Sequence, residues 1–251
     1  MKQLETKRYI LRKPTENDAE IIYEKWGTDK ENIAQYKEHK FYRNIIEAKA
    51  LIKGKWLVFF SHPGDFTPVC TTEMIAFSRA YTYFQQINTE LLGLSIDSNP
   101  SHLAWMYDIY CKTGIQLPFP IVADRNGQIA RKYGMISNDI STTETVRNVF
   151  IIDDKGIVRT IFVYPLNVGR FIPEIIRTVQ ALQMADCSKG STAANWMPGQ
   201  PVIVPAPKTF NELLERQNYI NENQNGISWY LSFKEPPAIC ENSSDDDTKN
   251  C

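Results

Sequence analysis

One cysteine, Cys70, stands where a thiol is well placed to react, in the opening turn of a helix that follows a strand. Residues 56–60 form an apolar run that predicts a buried strand, residues 61–65 have turn chemistry, and residues 74–87 have helical apolar spacing. The first turn of a helix has unpaired N–H groups and a positive dipole end, and both favour a thiolate. Because the thiolate is the nucleophile, a reactive cysteine is predicted; the alternative is a buried structural cysteine.

The neighbours of Cys70 decide between these alternatives. Pro63, Thr67 and Cys70 match the pattern P-x-x-x-[TS]-x-x-C inside the string HPGDFTPVCTTE. This string resembles the active site of peroxiredoxins, in particular the archaeal and bacterial branch related to single-cysteine enzymes, which has a histidine before the proline. The resemblance covers residues 54–237. It implies a thiol-dependent peroxidase that reduces hydrogen peroxide and organic hydroperoxides through a cysteine sulfenic acid.

The resemblance assigns roles to four residues. Cys70 is expected to be the nucleophile, and the Thr67 hydroxyl to hydrogen-bond both the sulfur and the peroxide. Thr67 could also serve as a helix cap. Pro63 is expected to shield the thiolate from water, or only to shape the turn. Arg147, which precedes a predicted buried strand, is expected to stabilise the thiolate and donate to the leaving oxygen.

Supporting residues follow from the same resemblance. Arg170 is expected to pair with Glu73 and hold the catalytic arginine in place. His62 is expected to hydrogen-bond near the site, to bind a reductant, or only to satisfy the loop. His102 and Trp105 match family positions on the next predicted helix and are expected in the core or at an interface.

The thiol that would reduce the sulfenic acid is less well defined. Ser232 stands where archaeal relatives have a resolving cysteine, in the string WYLS. Three other cysteines are candidate resolving residues: Cys187, Cys240 and Cys251. The alternative is an external thiol in a single-cysteine cycle. Cys111, in the middle of a predicted helix, is expected to be buried.

The order of elements predicts an α/β fold, a thioredoxin-like mixed sheet flanked by helices. The predicted strands cover residues 56–60, 90–97, 119–124, 148–153, 157–164 and 226–231, and the predicted helices residues 74–87, 101–113, 128–133, 171–184 and 209–221. The thioredoxin-like domain is assigned to residues 54–185. Residues 186–237 are assigned to an extended C-terminal arm, and the acidic residues 238–251 to a disordered tail. Trp196 and Trp229 of the arm need a surface to bury them, which the resemblance implies is a neighbouring subunit; the alternative is a loop folded back on its own core.

Residues 1–53 differ from the rest and are assigned to an N-terminal α/β fragment. The string RYILRKPTENDAE resembles the start of GNAT-type acetyltransferases, but no acetyl-CoA loop is visible. The lead-in strands usual in this peroxiredoxin branch are missing ahead of residue 54, which suggests a junction of two gene fragments. The alternatives to a peroxidase are therefore an N-acetyltransferase and a non-enzymatic holdase or redox sensor. A disulfide reductase is excluded because Thr67 occupies the first position of the required C-x-x-C motif.

Composition limits the partners. The 251 residues are 43% hydrophobic and 23% charged, with a net charge of −1, which gives no sign of a nucleic-acid or membrane partner. The opening MKQLETKRYILRK has no apolar core of a signal peptide, so a cytoplasmic protein is expected. Five irregularly spaced cysteines fit neither a secreted disulfide framework nor a metal site, and neither a metal nor a cofactor is expected. The expected partners are the peroxide, a thioredoxin-like or small-thiol reductant, and further copies of the chain in a homodimer or ring of dimers.

Overall fold

The computed structural model describes residues 4–5, 10–11, 54–136 and 143–237. Strands β1 (Leu4–Glu5) and β2 (Ile10–Leu11) pair antiparallel. Apart from these two strands, the predicted N-terminal α/β fragment lies outside the described residues, as does the tail predicted after residue 237. The rest of the chain is organised around a sheet whose strands agree with the predicted ones to within a few residues.

The central sheet has five strands in the order β5-β4-β3-β6-β7. They are β3 (Trp56–Ser61), β4 (Thr89–Ser95), β5 (Ile121–Ala123), β6 (Arg147–Ile152) and β7 (Val158–Tyr164). Strands β3, β4 and β5 are parallel, whereas β6 pairs antiparallel with both β3 and β7. The sheet is therefore mixed, and the predicted thioredoxin-like class is confirmed.

Three helices connect the strands of this sheet. They are α1 (Pro68–Gln86), α2 (Asn99–Thr113) and α3 (Gln128–Lys132). Ser98 caps α2 by accepting from the backbone N–H of Ser101, and Gly114 ends the helix in the left-handed conformation at φ 71°. The buried side chains of α2 are His102, Trp105 and Ile109. Cys111 is exposed, so the prediction of its burial was wrong: it lies two residues beyond Ile109, off the buried stripe.

The two faces of the sheet are covered separately. On one face Phe60 of β3 stacks on Phe77 of α1, with ring centroids 4.2 Å apart. On the other face Phe59 joins a core cluster that includes Ile129 and Ala130 of α3. Adjacent residues of a strand point to opposite faces, so β3 presents one aromatic ring to each helix layer.

The register between β3 and β6 determines which side chains reach α1. Phe60 pairs with Val149, so Arg147, two residues earlier, lies on the same face as Val149 and faces α1. The buried Ser61 ties the strand ends together: its hydroxyl donates to Val146 O at 2.6 Å and accepts from Asn148 N at 3.2 Å. Strand β6 therefore begins at a fixed position relative to β3.

Contacts divide the chain into two compact units, residues 1–172 and 173–251, a division earlier than the predicted boundary at residue 185. Helix α4 (Ile172–Ser188) opens the second, which also contains β8 (Val202–Ile203), α5 (Phe210–Asn223), β9 (Gly226–Ser228) and β10 (Leu231–Lys234). The short sheet of this unit has the order β8-β10-β9.

One prediction for the C-terminal unit needs correction. Residues 226–231 do not form one strand, because a turn at Trp229–Tyr230 separates β9 from β10, which then pair antiparallel. Trp196 is buried within the single chain, in agreement with the folded-back alternative; its indole N–H donates to Gln200 O at 3.0 Å within a local turn. Among the described residues, no helix is long and apolar enough to span a bilayer.

Candidate active site

Cys70 is the third residue of α1 and is fully buried. Pro68 opens the helix, a position at which a missing N–H costs nothing. Thr67 is the N-cap residue, but its hydroxyl makes no cap hydrogen bond and donates instead to Gly64 O at 2.8 Å. The alternative role of Thr67 as a side-chain cap is therefore not observed, because its hydroxyl hydrogen is directed back into the preceding turn.

Arg147 is the side chain that reaches the sulfur. Its Nη1 lies 3.2 Å from Cys70 Sγ and 2.8 Å from Glu73 Oε2. Its Nε and Nη2 both donate to the carbonyl of Leu166, at 3.0 and 2.8 Å. The guanidinium plane is held from two sides, so the donor at Cys70 has a defined direction.

Glu73 joins two arginines into one buried unit, which we call the arginine cluster: Arg147, Glu73 and Arg170. Besides the bond from Arg147, the carboxylate accepts from Arg170 Nε at 2.9 Å, Nη2 at 2.7 Å and the backbone N–H at 3.0 Å. Arg170 Nη1 donates to the carbonyls of Ser61 and Asn148. The predicted pair of Arg170 with Glu73 is thus brought together behind Arg147.

The formal charges of the arginine cluster favour an anion beside it. Two guanidinium charges against one carboxylate leave a net charge of +1, and the cluster contacts the Cys70 sulfur through Arg147. Burial lowers the pKa of Arg170, although the contacts with Glu73 oppose this effect. A thiolate at Cys70 would bring the total formal charge to zero, so the charge of the cluster is complementary to a thiolate.

A second buried unit, the histidine cluster, joins the loop before α1 to helix α2: His62 and Asp65 of the loop, and His102 of α2. Asp65 Oδ1 lies 3.0 Å from His62 Nε2, and Asp65 Oδ2 lies 2.8 Å from His102 Nδ1. The opposite nitrogens, His62 Nδ1 and His102 Nε2, have no hydrogen-bond partner among the described residues. We therefore assign the ring proton of each imidazole to the nitrogen that faces Asp65.

The pKa directions agree with a neutral His62 ring beside an ionised carboxylate. Burial lowers the pKa of His62, and it outweighs the hydrogen bond to Asp65 that acts in the opposite direction. For Asp65, burial alone would raise the pKa, but the hydrogen bonds from His102 and His62 prevail and hold it well below its usual range. Counted with neutral histidines, the histidine cluster has a formal net charge of −1.

The histidine cluster has ligand types that metals use, with one potential ligand atom from each residue within 4.8 Å of the others. The nitrogens that face Asp65 already lie at hydrogen-bond distance from its oxygens. Hydrogen bonds therefore account for the contacts of Asp65 with the two histidines, and no cation is needed to hold the three side chains together.

The sequence analysis missed this cluster, although it named two of its members singly. His62 was placed near the site, and His102 in the core or at an interface. Asp65 was treated only as turn chemistry. The usable signal was the spacing of His62 and Asp65 in one loop, which allows a side-chain contact, but nothing local indicated that His102 would complete it.

The other predicted site residues occupy different places. Pro63 and Thr67 are half-buried at the surface of the loop before Cys70. Cys187 is disulfide-bonded, whereas Cys240 and Cys251 lie outside the described residues. Ser232, at the position of the expected resolving cysteine, is buried and accepts a hydrogen bond from Arg216 at 3.0 Å.

Comparison with family models gives two matches. The AhpC/TSA family matches residues 31–161, and the C-terminal domain of 1-Cys peroxiredoxin matches residues 181–221. The first match begins ahead of the boundary predicted at residue 53. The first match contains Thr67, Cys70, Glu73 and Arg147, and the second match lies inside the second compact unit.

Curated relatives and solved structures point the same way. Peroxiredoxin 2 of Caldanaerobacter subterraneus subsp. tengcongensis is 57% identical over 182 residues, which are 72% of this chain and 82% of the relative. The peroxiredoxin of Aquifex aeolicus is 49% identical, over 72% of this chain and 85% of the relative. A cysteine-to-serine mutant of peroxiredoxin 6 of Arenicola marina superposes with a TM-score of 0.65 at 30% identity, over 76% and 90% of the chains. A yeast mitochondrial 1-Cys peroxiredoxin superposes with a TM-score of 0.61 at 34% identity, over 75% and 90%.

Proposed function

Because the chain belongs to the AhpC/TSA family of peroxiredoxins and is a thiol-dependent peroxidase, we propose that Cys70 is the residue that peroxide oxidises. The observation that carries this proposal is the 3.2 Å contact between Arg147 Nη1 and Cys70 Sγ. A guanidinium donor aimed at a fully buried thiol supplies the charge that a thiolate nucleophile needs.

In the proposed step the Cys70 thiolate attacks one peroxide oxygen and donates two electrons to it. The S–O bond forms as the O–O bond breaks, and the departing oxygen takes a proton and leaves as water or an alcohol. Cys70 becomes a sulfenic acid. Arg147 donates first to the thiolate and then to the departing oxygen, where negative charge develops in the transition state.

Thr67 and Pro63 orient and admit the peroxide. The hydroxyl hydrogen of Thr67 is committed to Gly64 O, so its oxygen is left to accept a hydrogen bond from the O–H of the substrate. Pro63 and Thr67 are half-buried while Cys70 has no exposed surface, so we assign the entrance to these two residues.

Glu73 and Arg170 act through Arg147. The Glu73 carboxylate accepts hydrogen bonds from both arginines, and Arg170 also donates to the carbonyls of Ser61 and Asn148. Loss of either residue would release the guanidinium of Arg147 from its fixed direction. These are therefore positioning residues, and neither contacts the sulfur in our assignment.

A thiol must then reduce the sulfenic acid, releasing water and forming a disulfide that a second thiol opens. We propose Cys187, Cys240 or Cys251 as the resolving thiol, or an external thioredoxin-like or small thiol in a single-cysteine cycle. The yeast mitochondrial relative is described as resolving its thiol through glutathione and thioredoxin systems. Because Cys187 is itself disulfide-bonded, it can take part in this step only after reduction.

For the cellular location and assembly of the chain, we propose a cytoplasmic enzyme that forms a homodimer or a ring of dimers. The resemblance of the N-terminal segment to GNAT-type acetyltransferases is proposed to reflect a fragment without activity of its own. Neither proposal enters the chemistry at Cys70, so each can fail without affecting it.

Peroxide consumption in the presence of dithiothreitol tests the function. Cys70→Ser is expected to lose more than about a thousandfold in turnover, because the nucleophile is removed. Cys111→Ser is the matched control, since Cys111 is also a free thiol but is exposed, and it should retain full turnover. Turnover by Cys70→Ser, with wild-type circular dichroism, would contradict the proposal.

A further inference from the structure

Helix α2 reaches the catalytic loop through two buried side chains that have no part in the chemistry assigned above. His102 Nδ1 donates to Asp65 Oδ2 at 2.8 Å, and Trp105 Nε1 donates to Thr71 Oγ1 at 3.2 Å. Both side chains are almost completely buried. Helix α2 thus donates two hydrogen bonds, one to the loop before α1 and one to the first turn of α1, in addition to its apolar packing.

The contact of His102 fixes the loop before Cys70. Asp65 also accepts from His62, and its backbone N–H donates to Asp97 Oδ2 at 2.9 Å. Pro63 lies between the two loop residues so held. The stretch from His62 to Asp65 is therefore tied to α2 through one shared carboxylate.

The contact of Trp105 fixes the first turn of α1. Thr71 follows Cys70 directly, and its hydroxyl donates to Thr67 O at 2.8 Å while it accepts from the indole. The Trp105 ring also packs on the imidazole of His62, with ring centroids 5.3 Å apart. The two contacts thus converge on the segment that contains Pro63, Thr67 and Cys70.

We propose that His102 is a positioning residue of the peroxidase reaction, which through Asp65 holds Pro63 and Thr67 where they align the peroxide with Cys70. The inference rests on the proposed role of Cys70. His102 contacts neither the sulfur nor the substrate, and it acts by supplying one N–H to a buried carboxylate that would otherwise lose a partner. Trp105 supports the same segment from its other end.

The alternative is that His102 only fills the core. The two roles predict different responses, because Cys70 is activated by Arg147 and not by α2. Loosening the loop should disturb the alignment of a peroxide, which needs a defined approach, more than the alkylation of the thiolate, which tolerates many approaches. General destabilisation would instead lower both rates together.

Two substitutions at His102 separate these roles. His102→Leu fills a similar space but donates no hydrogen bond, whereas the amide nitrogen of His102→Asn can occupy the place of Nδ1. We expect His102→Leu to lower the second-order rate constant for hydrogen peroxide about ten- to a hundredfold, with alkylation by iodoacetamide changed less than about threefold. His102→Asn should recover the peroxide rate constant to within about threefold of wild type. Ile109→Val, a buried change on α2 without a polar contact, is the control for packing loss and should react as wild type.

The proposal is overturned if a folded His102→Leu reacts with peroxide as fast as Ile109→Val, or if its peroxide and alkylation rates fall by the same factor. Should His102→Leu not fold, His102→Met takes its place, since its flexible thioether fills the site and donates no hydrogen bond. Equal peroxide rate constants for His102→Met and wild type would then overturn the proposal. A wild-type protein that consumes no peroxide would contradict the function of Cys70 instead, so the two failures are distinguishable.

Discussion

Two buried clusters each place one carboxylate between two basic side chains, and they differ in the kind of base. The arginine cluster places two guanidinium groups around a glutamate, and the histidine cluster places two imidazoles around an aspartate. Guanidinium groups keep their charge at any physiological pH, so the first cluster has a permanent net charge of +1. The second has a net charge of −1 that protonation of a ring can remove.

From this difference in charge we infer different tasks for the two clusters: the arginine cluster favours a thiolate, and the histidine cluster holds a loop. A site that must favour a thiolate needs a positive charge that does not titrate, and the arginine cluster contacts the sulfur. A group that only holds a loop can use neutral rings, because two hydrogen bonds to a carboxylate need no positive charge. Because a neutral ring can take up a proton, the contacts of the histidine cluster are sensitive to acid. The predictions below test whether the two clusters differ in this way.

The largest expected effect is on stability. Glu73→Gln leaves two buried guanidinium groups without a carboxylate, and we expect it to lower the free energy of unfolding by about 3–5 kcal/mol. Urea denaturation at neutral pH measures this. Glu90→Gln is the matched control: Glu90 is also buried, but its partners Lys55 and Tyr81 are partly exposed, and we expect a loss of about 1 kcal/mol. Equal losses in the two variants would remove any special role for the arginine cluster.

The next effect is on the rate. Arg147→Lys keeps one positive charge, but an ammonium cannot reach the sulfur, Glu73 and the Leu166 carbonyl together. We expect the second-order rate constant for hydrogen peroxide to fall about a hundred- to a thousandfold, measured by stopped-flow oxidation. Arg159→Lys, at a partly exposed ion pair with Asp153, should leave it unchanged. A loss below about tenfold in Arg147→Lys would show that charge alone suffices.

The smallest effect distinguishes the clusters by pH. The pKa of His62 is lowered in the folded protein, so between the unfolded value near 6.5 and the folded value the unfolded chain binds more protons. Stability therefore falls as the pH falls, by up to about 1.4 kcal/mol per pH unit below about 6.5. The groups that face His62 are Asp65, which opposes this shift, and His102 and Arg170, which add to it.

Urea denaturation at pH 7, 6 and 5 measures this slope for wild type and His62→Gln. The variant lacks the titrating ring, so its slope should be smaller than that of wild type. Asp65 adds a second loss at lower pH: its pKa is depressed on folding, so its contribution is present above about pH 4 and declines below it. Identical slopes for wild type and His62→Gln would contradict the neutral assignment of the ring.

The sequence was most informative where a pattern repeats along the chain. Apolar runs and turn residues predicted every strand of the central sheet, because alternation and burial leave a local signal. The approach of Arg170 to Glu73 was anticipated from a known motif, and the structure places the two at 2.7 Å. In both cases the informative residues lie within or beside a regular element.

The histidine cluster was not predictable in the same way. His102 and Asp65 are separated by 37 positions, and their contact depends on where α2 lies against the loop. Thr67 shows the same limit at short range, since its type fits a helix cap but its hydroxyl turns to Gly64. Buried polar contacts of this kind depend on tertiary geometry, which propensity and periodicity do not encode.

The tie between Ser61 and the start of β6 also limits how the gene for this protein can change length. Side chains alternate along a strand, so a shift of one position between β3 and β6 would turn Arg147 away from Cys70. A one-residue insertion or deletion next to Arg147 is therefore expected to abolish activity even if every side chain is kept. The turn between β6 and β7, residues 153–157, lies at the far end of β6, and changes of length there would leave the position of Arg147 intact.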